Sequence, residues 1–416
     1  PAREQRERFQ ASGSNPLNHW PDWRGPTGDG RSDATNLPLN WSEAENIVWE
    51  THIHDLGHST TVCIDLNSGE VVYAVAGFIQ TSLSGSHPQN SYATPSAVVE
   101  KGRAYVHFGT FGTACLNSET GEVLWRRTDL NCEHMQGPVS SPVLFDDLVI
   151  VYLEGTDVQF TAALDKKTGE TVWRTDRPRE LYENVEPLFL RKAYHTPVIV
   201  EVDGEAQLVG NSAQLAMGYD PRTGKELWRV VYGDDNSISR IVSGHGLFFV
   251  NTGGTPDSVR LWAVRQDGVG DVTNSHVIWE VNDNVPVESS PVLVGDQLYM
   301  VSNNGILTCL QAKTGKRVWR ERLDGRYGAS LLYADNRIHA CSSKQGKTTV
   351  IESGPTIREL AVNELDREFW ASPAVAGRSL LLRTHTPISC SKKVKGHKKN
   401  DKTHSTPFAK EIFESF

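Results

Sequence analysis

The histidines come first among the residues able to do chemistry. His52, His54 and His58 form a His-x-His-x-x-x-His pattern. On a strand, His52 and His54 share one face, which lets two imidazoles reach a single metal ion. Apart from Asp55, no acidic or Cys partner is read at a telling spacing beside the three. The plainer reading is a polar strand end, and no metal site is assigned. The six cysteines include no Cys-Cys pair and no Cys-x-x-Cys-His haem signature. A Ser-His-Asp triad or a carboxylate pair depends on proximity in space, and neither can be read along the chain. No catalytic residue is identified.

The elements that must position these groups form a repeat. A polar residue, two variable positions, Thr-Gly or Ser-Gly, and a short apolar strand with an aromatic residue recur along the chain. The phrase runs from Asp65 through Gly69 to Tyr73, from Asn117 through Gly121 to Trp125, and from Asp165 through Gly169 to Trp173. It returns from Asp220 through Gly224 to Trp228 and from Gln311 through Gly315 to Trp319. A stretched copy leads from Gln266 to Trp279, and a degenerate one ends near Leu360. Asp or Asn opens such a turn by accepting bonds from the amides that follow. Gly closes it at positive φ, as in a type I turn with a G1 bulge. One large ring per copy is expected to fill the wedge between neighbouring blades.

Upstream of each turn, a small residue stands beside proline, as in Ala93-Thr94-Pro95, Ser140-Ser141-Pro142, His195-Thr196-Pro197, Ser289-Ser290-Pro291 and Ala371-Ser372-Pro373. It marks the innermost strand, where space around an axis is tightest. About 32 residues separate Ser141 from Trp173, and Thr196 from Trp228, the length of one four-stranded propeller blade. The expected fold is all-β: an eight-bladed β-propeller over residues 41–390, with an N-terminal extension at 1–40 and a Lys-rich, disordered tail at 391–416. The first copy is stunted, with about 14 residues from Ser59 to Tyr73. The last copy, starting at Trp370, lacks a Trp phrase of its own. The strand around Trp49 is expected to complete that blade and close the ring, removing an exposed edge.

Cys63, Cys115, Cys309 and Cys390 fall at one repeat position, just before the turn, with Ala163 nearby in another copy. Equivalent positions in different blades lie too far apart to bridge, so structural free thiols are expected. Cys132, in a loop, stands apart from that pattern. Residues beside the inner-strand phrase should face the axial channel or its rim. They are His58, Tyr92, Tyr194, His195, Arg240, Glu288, Tyr327 and Trp370. Such a mixture of aromatic, cationic and anionic groups suits a small polar ligand or a peptide. The same set could simply fill a hydrated channel, and both readings stand.

The formal charge of −9 and pI near 5.9 argue against nucleic acid as a partner. No apolar run is long enough to span a membrane. The opening Pro1-Ala2-Arg3-Glu4 lacks an initiator Met and an apolar signal core, so a trimmed mature form is expected. The six lysines between 392 and 402 are expected to be solvated.

The repeat phrases resemble the pyrroloquinoline-quinone-like propeller family, which includes outer-membrane assembly propellers and quinoprotein dehydrogenases. The opening Trp20-Pro21-Asp22-Trp23-Arg24-Gly25-Pro26 is similar to that of exported propellers from planctomycete-type bacteria, as is the stretch from Gly109 to Leu116. The resemblance implies a periplasmic or extracellular, monomeric scaffold of the cell envelope, non-catalytic, recognising a protein or a small polar ligand at its funnel. The alternative it leaves is a quinoprotein-type oxidoreductase or another enzyme using the axial funnel. Those oxidoreductases carry a vicinal Cys-Cys disulfide, a calcium ion and a catalytic Asp. This chain has no such Cys pair, so no cofactor is expected, pyrroloquinoline quinone with calcium included.

Overall fold

The computed structural model describes residues 20–53, 60–78, 90, 94–234, 238–369, 371–384, 387–393 and 410–414. Among them are seven four-stranded antiparallel blades. In chain order they span residues 98–127, 143–176, 198–231, 242–281, 292–322 and 332–364 for blades 1 to 6. Blade 7 combines Ala374–Ala376, Ser379–Arg383 and Pro387–Lys392 with the early strand Ile47–His52 as its outermost member. Trp49 pairs with Cys390 there, so the N-terminal strand closes the ring as expected. No helix of the described residues is long and apolar enough to cross a membrane.

Seven complete blades stand where eight were expected. The first copy supplies only Thr60–Asp65 and Val71–Ala76, the counterparts of a third and an outermost strand. Residues 53–59 are too few to build the missing inner hairpin. The short strand Lys410–Glu414 lies antiparallel on the inner edge of Thr60–Asp65, in the tail where disorder was expected.

The core lies between blades. Second and third strands are covered on both faces, so they read as apolar runs. In blade 2, Val149, Val151 and Leu153 pack towards blade 1, while Ile150 and Tyr152 pack towards blade 3. The outermost strand of blade 2 alternates instead: Trp173 is buried, and Val172 and Arg174 are exposed.

Each repeat aromatic pairs across its own sheet with a small residue. Trp125 faces Cys115, Trp173 faces Ala163, Trp228 faces Gly218, Trp279 faces Ala263, Trp319 faces Cys309 and Tyr73 faces Cys63. This explains why the cysteines recur: the ring needs a thin neighbour. All six cysteines are buried free thiols.

The same rings reach into the next blade. Indole N–H groups donate to turn carbonyls there: Trp49 to Leu66 (2.8 Å), Trp125 to Lys166 (2.9 Å), Trp173 to Pro221 (3.1 Å), Trp279 to Ala312 (3.1 Å) and Trp319 to Gly354 (3.1 Å). The Tyr73 hydroxyl donates to Ser118 in the same way (3.1 Å). Beneath the rings of Trp49, Tyr73, Trp125, Trp173 and Trp279 sits the Gly that closes the neighbouring turn. Gly169 has φ +74°, and a Cβ there would lie 2.7 Å from the Trp125 ring. Asp165 caps the same turn, accepting from the amides of Lys167 and Thr168 (2.8 Å each).

Two blades depart from this pattern. Trp228 donates to Gln207 (2.8 Å) and stacks on Phe248, because the stretched turn of blade 4 offers no Thr-Gly platform. That stretch instead lays Gly270–Asp271 parallel to the outer edge of blade 3. Blade 6 carries Ala361 where others carry an aromatic ring, and Trp41 from the N-terminal segment fills the same cluster.

Truncating Trp125 to Ala should cost about 3–5 kcal/mol, the range for a buried aromatic ring. Leu124→Ser, on the exposed side of the same strand, should change stability by less than about 0.5 kcal/mol. Urea denaturation of the two variants measures the contrast.

Candidate functional site

The innermost strands meet the axis through a belt of hydroxyl groups. The Ser96 amide donates to Ser141 Oγ (2.9 Å), and the Ser141 amide to Thr196 Oγ1 (2.9 Å). Further round, the amides of Arg240, Ser290 and Ser330 donate to Ser290, Ser330 and Ser372 Oγ (3.0 Å each). The small residue of the Ser-Pro phrase therefore links each blade to the next. In blade 1, Ser96 fills this role, two residues after Thr94.

Arg240 interrupts the belt, standing where a hydroxyl would receive the next amide. Its side chain turns towards the axis and meets the N-terminal segment. Arg240 Nη1 donates to the Trp23 carbonyl (2.7 Å), and Nη2 to Pro197 O (2.7 Å) and Asp22 Oδ2 (3.4 Å). Arg24 reaches the opposite side, donating to Leu331 O (2.9 Å) and Pro291 O (2.7 Å). The Val99 amide of blade 1 donates to Pro21 O (2.9 Å). Arg31–Ser32 then runs parallel to Leu332–Ala334 on the free inner edge of blade 6. One segment thus touches the inner ends of blades 1, 4, 5 and 6, and so crosses the axis. Burial raises the Asp22 carboxyl above the usual carboxylate range, against the pull of Arg240.

The sequence-predicted funnel residues divide accordingly. His58, Tyr92 and Trp370 lie outside the described residues, as does His54. His52 ends the outermost strand of blade 7, far out on the ring. His195 is fully buried, with Nδ1 2.8 Å from Ser239 O. Arg240 is committed to the chain's own N-terminal segment. Tyr194 is buried and donates to Gln136 Oε1. Glu288 pairs with Arg326 (3.6 Å), and Tyr327 is buried with its hydroxyl on Asp324 O (3.0 Å). His195 and Arg240 are brought together, and Glu288 lies near the loop before Tyr327, but the five do not converge on one open space. Asp22 and Arg24 were missed as axial residues. Their Trp-Pro-Asp-Trp-Arg phrase was visible, but nothing local says that it folds back through the ring.

Strand alternation puts two kinds of loop on one face: those between second and third strands and those joining successive blades. A cavity of about 780 Å³ opens on this loop face, lined by Phe78, Phe111, Arg126, Cys132, Glu133 and Asp157 among others. Behind it, Cys132 Sγ lies 3.3 Å from His134 Nε2, and His134 Nδ1 lies 3.0 Å from Lys192 Nζ. Deeper still, Arg177 pairs with Glu154 (2.6 Å) in full burial, and Tyr182 and Ser212 extend that network (2.7 Å).

The architecture and its phrases define a β-propeller of pyrroloquinoline-quinone-like repeats. The family model described as "Outer membrane protein assembly factor BamB" matches residues 57–321 and 265–367, more than half of the chain, and the chain belongs to that family. Two curated relatives carry the same description. The one from Burkholderia pseudomallei is 30% identical over 95 residues, 23% of this chain and 24% of the relative. The one from Shewanella oneidensis is 21% identical over 259 residues, 50% of this chain and 65% of the relative. The chain thus spans less than two thirds of either relative. BamB from Moraxella catarrhalis shares the fold at TM-score 0.58 and 11% identity, over 83% of this chain and 99% of that one. Quinohemoprotein alcohol dehydrogenase from Comamonas testosteroni shares it at TM-score 0.66 and 11% identity, over 97% of this chain and 86% of that one.

Burial lowers the imidazoles of His107 and His339 to about 4, and that of His195 to about 3. In the unfolded chain each titrates near 6.5. The unfolded state therefore binds more protons below that pH, and stability falls as pH drops from 6.5 towards 4. Each histidine contributes up to about 1.4 kcal/mol per pH unit in that window. His339→Gln should flatten the slope of unfolding free energy between pH 6 and 4.5 by about that amount. An unchanged slope would mean that the ring is not held neutral.

Proposed function

We propose that the chain is a non-catalytic scaffold of the cell envelope that holds a protein partner on its loop face, in the manner of an outer-membrane protein assembly factor. The observation that carries this reading is the placement of exposed apolar side chains. Met135 (57% exposed), Val158 (37%), Leu188 (42%) and Phe189 (36%) all stand on loop-face connections of blades 1 to 3. Elsewhere, exposed apolar residues such as Val48, Leu124, Val172, Ile278 and Val318 fall on the outermost strands, spread around the rim, and Val269 stands by itself on the turn before the outermost strand of blade 4. Apolar groups gathered on one face mark protein contact more often than chance exposure does. Family membership supports the same reading.

The crossing of the axis by residues 21–32 weighs against the alternative, an enzyme using the axial funnel. Arg240 and His195, its best polar candidates, are engaged within the chain. The scaffold acts as a monomer in a periplasmic or extracellular setting and needs no cofactor.

Cross-linking the full chain in an envelope fraction should recover a specific protein. Met135→Glu with Phe189→Glu should reduce that recovery at least tenfold while leaving the melting temperature within about 2 °C. Equal recovery by the variant would remove the loop face from the account. Added pyrroloquinoline quinone with calcium should leave the melting temperature unchanged, and a rise would favour the oxidoreductase instead.

A further inference from the structure

Cys132 differs from the other five thiols in its surroundings. All six are buried, but Cys63, Cys115, Cys309, Cys341 and Cys390 sit on strands. Cys132 belongs to the loop joining blades 1 and 2, and it lines the loop-face cavity. It is also the first member of a hydrogen-bonded chain, Cys132–His134–Lys192. The imidazole is held in place by the backbone of Gly109, where a Cβ would come within 2.6 Å of His134 Nε2. Lys192 is fully buried, with further contacts to Gly137 O (3.3 Å) and the face of Tyr194 (4.8 Å).

The geometry links the amine to the thiol. A protonated Lys192 can only donate, so His134 Nδ1 must accept. The ring proton then sits on Nε2, which donates to the Cys132 sulfur and cannot take its proton. A neutral Lys192 can accept from Nδ1–H. His134 Nε2 then carries a lone pair aimed at Cys132, and the thiol has a base. We propose that Cys132 is a thiol–disulfide exchange site for small disulfides entering the loop-face cavity, switched on when Lys192 loses its proton.

In the exchange, Cys132 Sγ attacks one sulfur of RS–SR while its proton passes to His134 Nε2. The Cys132–SR bond forms and the RS–SR bond breaks, with the electron pair leaving on RS⁻. The proton then returns to RS⁻, so one disulfide and one thiol give one mixed disulfide and one free thiol. The disulfide is the oxidant, and no other reactant is needed. The cavity can admit such a molecule, with Phe78 and Phe111 offering apolar surface and Arg126 a cation.

Burial pushes the Cys132 thiol up to about 12, so at neutral pH it needs a base to react. Burial pushes Lys192 down to about 8, opposed by Cys132 and Glu154. Burial, Lys192 and His107 all lower His134. Asp157, Glu154 and Glu133 also face Cys132 and hold its thiol up, while Lys192 acts the other way.

The probe is 2,2′-dithiodipyridine, reacted with the folded full chain and followed by peptide mapping. Cys132 should be labelled first, with a rate that rises about tenfold from pH 7 to 9 and then levels, as a controlling group near 8 requires. Lys192→Met should abolish that inflection. First labelling at another cysteine would overturn the proposal. So would a rise of about a hundredfold without levelling, which is the profile of a thiol ionised directly by hydroxide. The wild-type profile decides the matter even if Lys192→Met does not fold.

Discussion

The structure depends on one contact repeated around the ring: an aromatic side chain seated on the glycine of the next blade's turn, its polar tip bonded to a carbonyl there. A blade alone cannot bury both faces of its sheet, so it is stable only against neighbours. The indole satisfies two requirements at once. It fills the wide outer part of the wedge, and its N–H fixes the neighbour's height and angle. Gly169 and Gly224 are held to glycine by φ of +74° and +71°, and by the ring pressed on them. Cys115, Ala163 and Gly218 are held small by the same rings on their own sheets.

The inner belt completes what the outer contact begins. Hydroxyls of Ser141, Thr196, Ser290, Ser330 and Ser372 receive amides from the preceding blade, so these five junctions are tied near the axis. Where Arg240 replaces a hydroxyl, the tie is made through its guanidinium and the N-terminal segment. That segment continues outward past Asp335, which accepts from the Leu37 amide (3.2 Å), and delivers Trp41 to blade 6 and Trp49 to blade 7. One stretch of chain thus fills the axis, replaces a missing ring and closes the circle. The partial sheet between blades 7 and 1 is tied by the same aromatic contacts, through Trp49 and Tyr73.

How much of this was legible follows from the range of the interactions. The Asp-x-x-Thr-Gly turn, the aromatic position and the small residue before proline are local, and they fix strand order and closure by Trp49. The number of complete blades was less so, because a copy can keep its outer two strands and lose its inner two while its turn phrase stays intact. The candidate site was the least legible. Tyr194, His195, Arg240, Glu288 and Tyr327 do flank the innermost strands, but whether that space is open depends on residues 21–32, more than two hundred positions from Arg240. The Cys132–His134–Lys192 chain likewise joins two loops far apart in sequence. Only the loop position of Cys132 hinted at it.

The central claim is that the chain's own N-terminal segment occupies the axis, leaving the loop face for function. Native-state hydrogen exchange at the amides of Val99 and Tyr333 tests it most directly, because their acceptors are the carbonyls of Pro21 and Gly30 (2.9 Å each). With the segment seated, both amides exchange as slowly as their neighbours in the second strands of blades 1 and 6. Exchange at the rate of an open, solvated amide would contradict the account, for the axis would then be free.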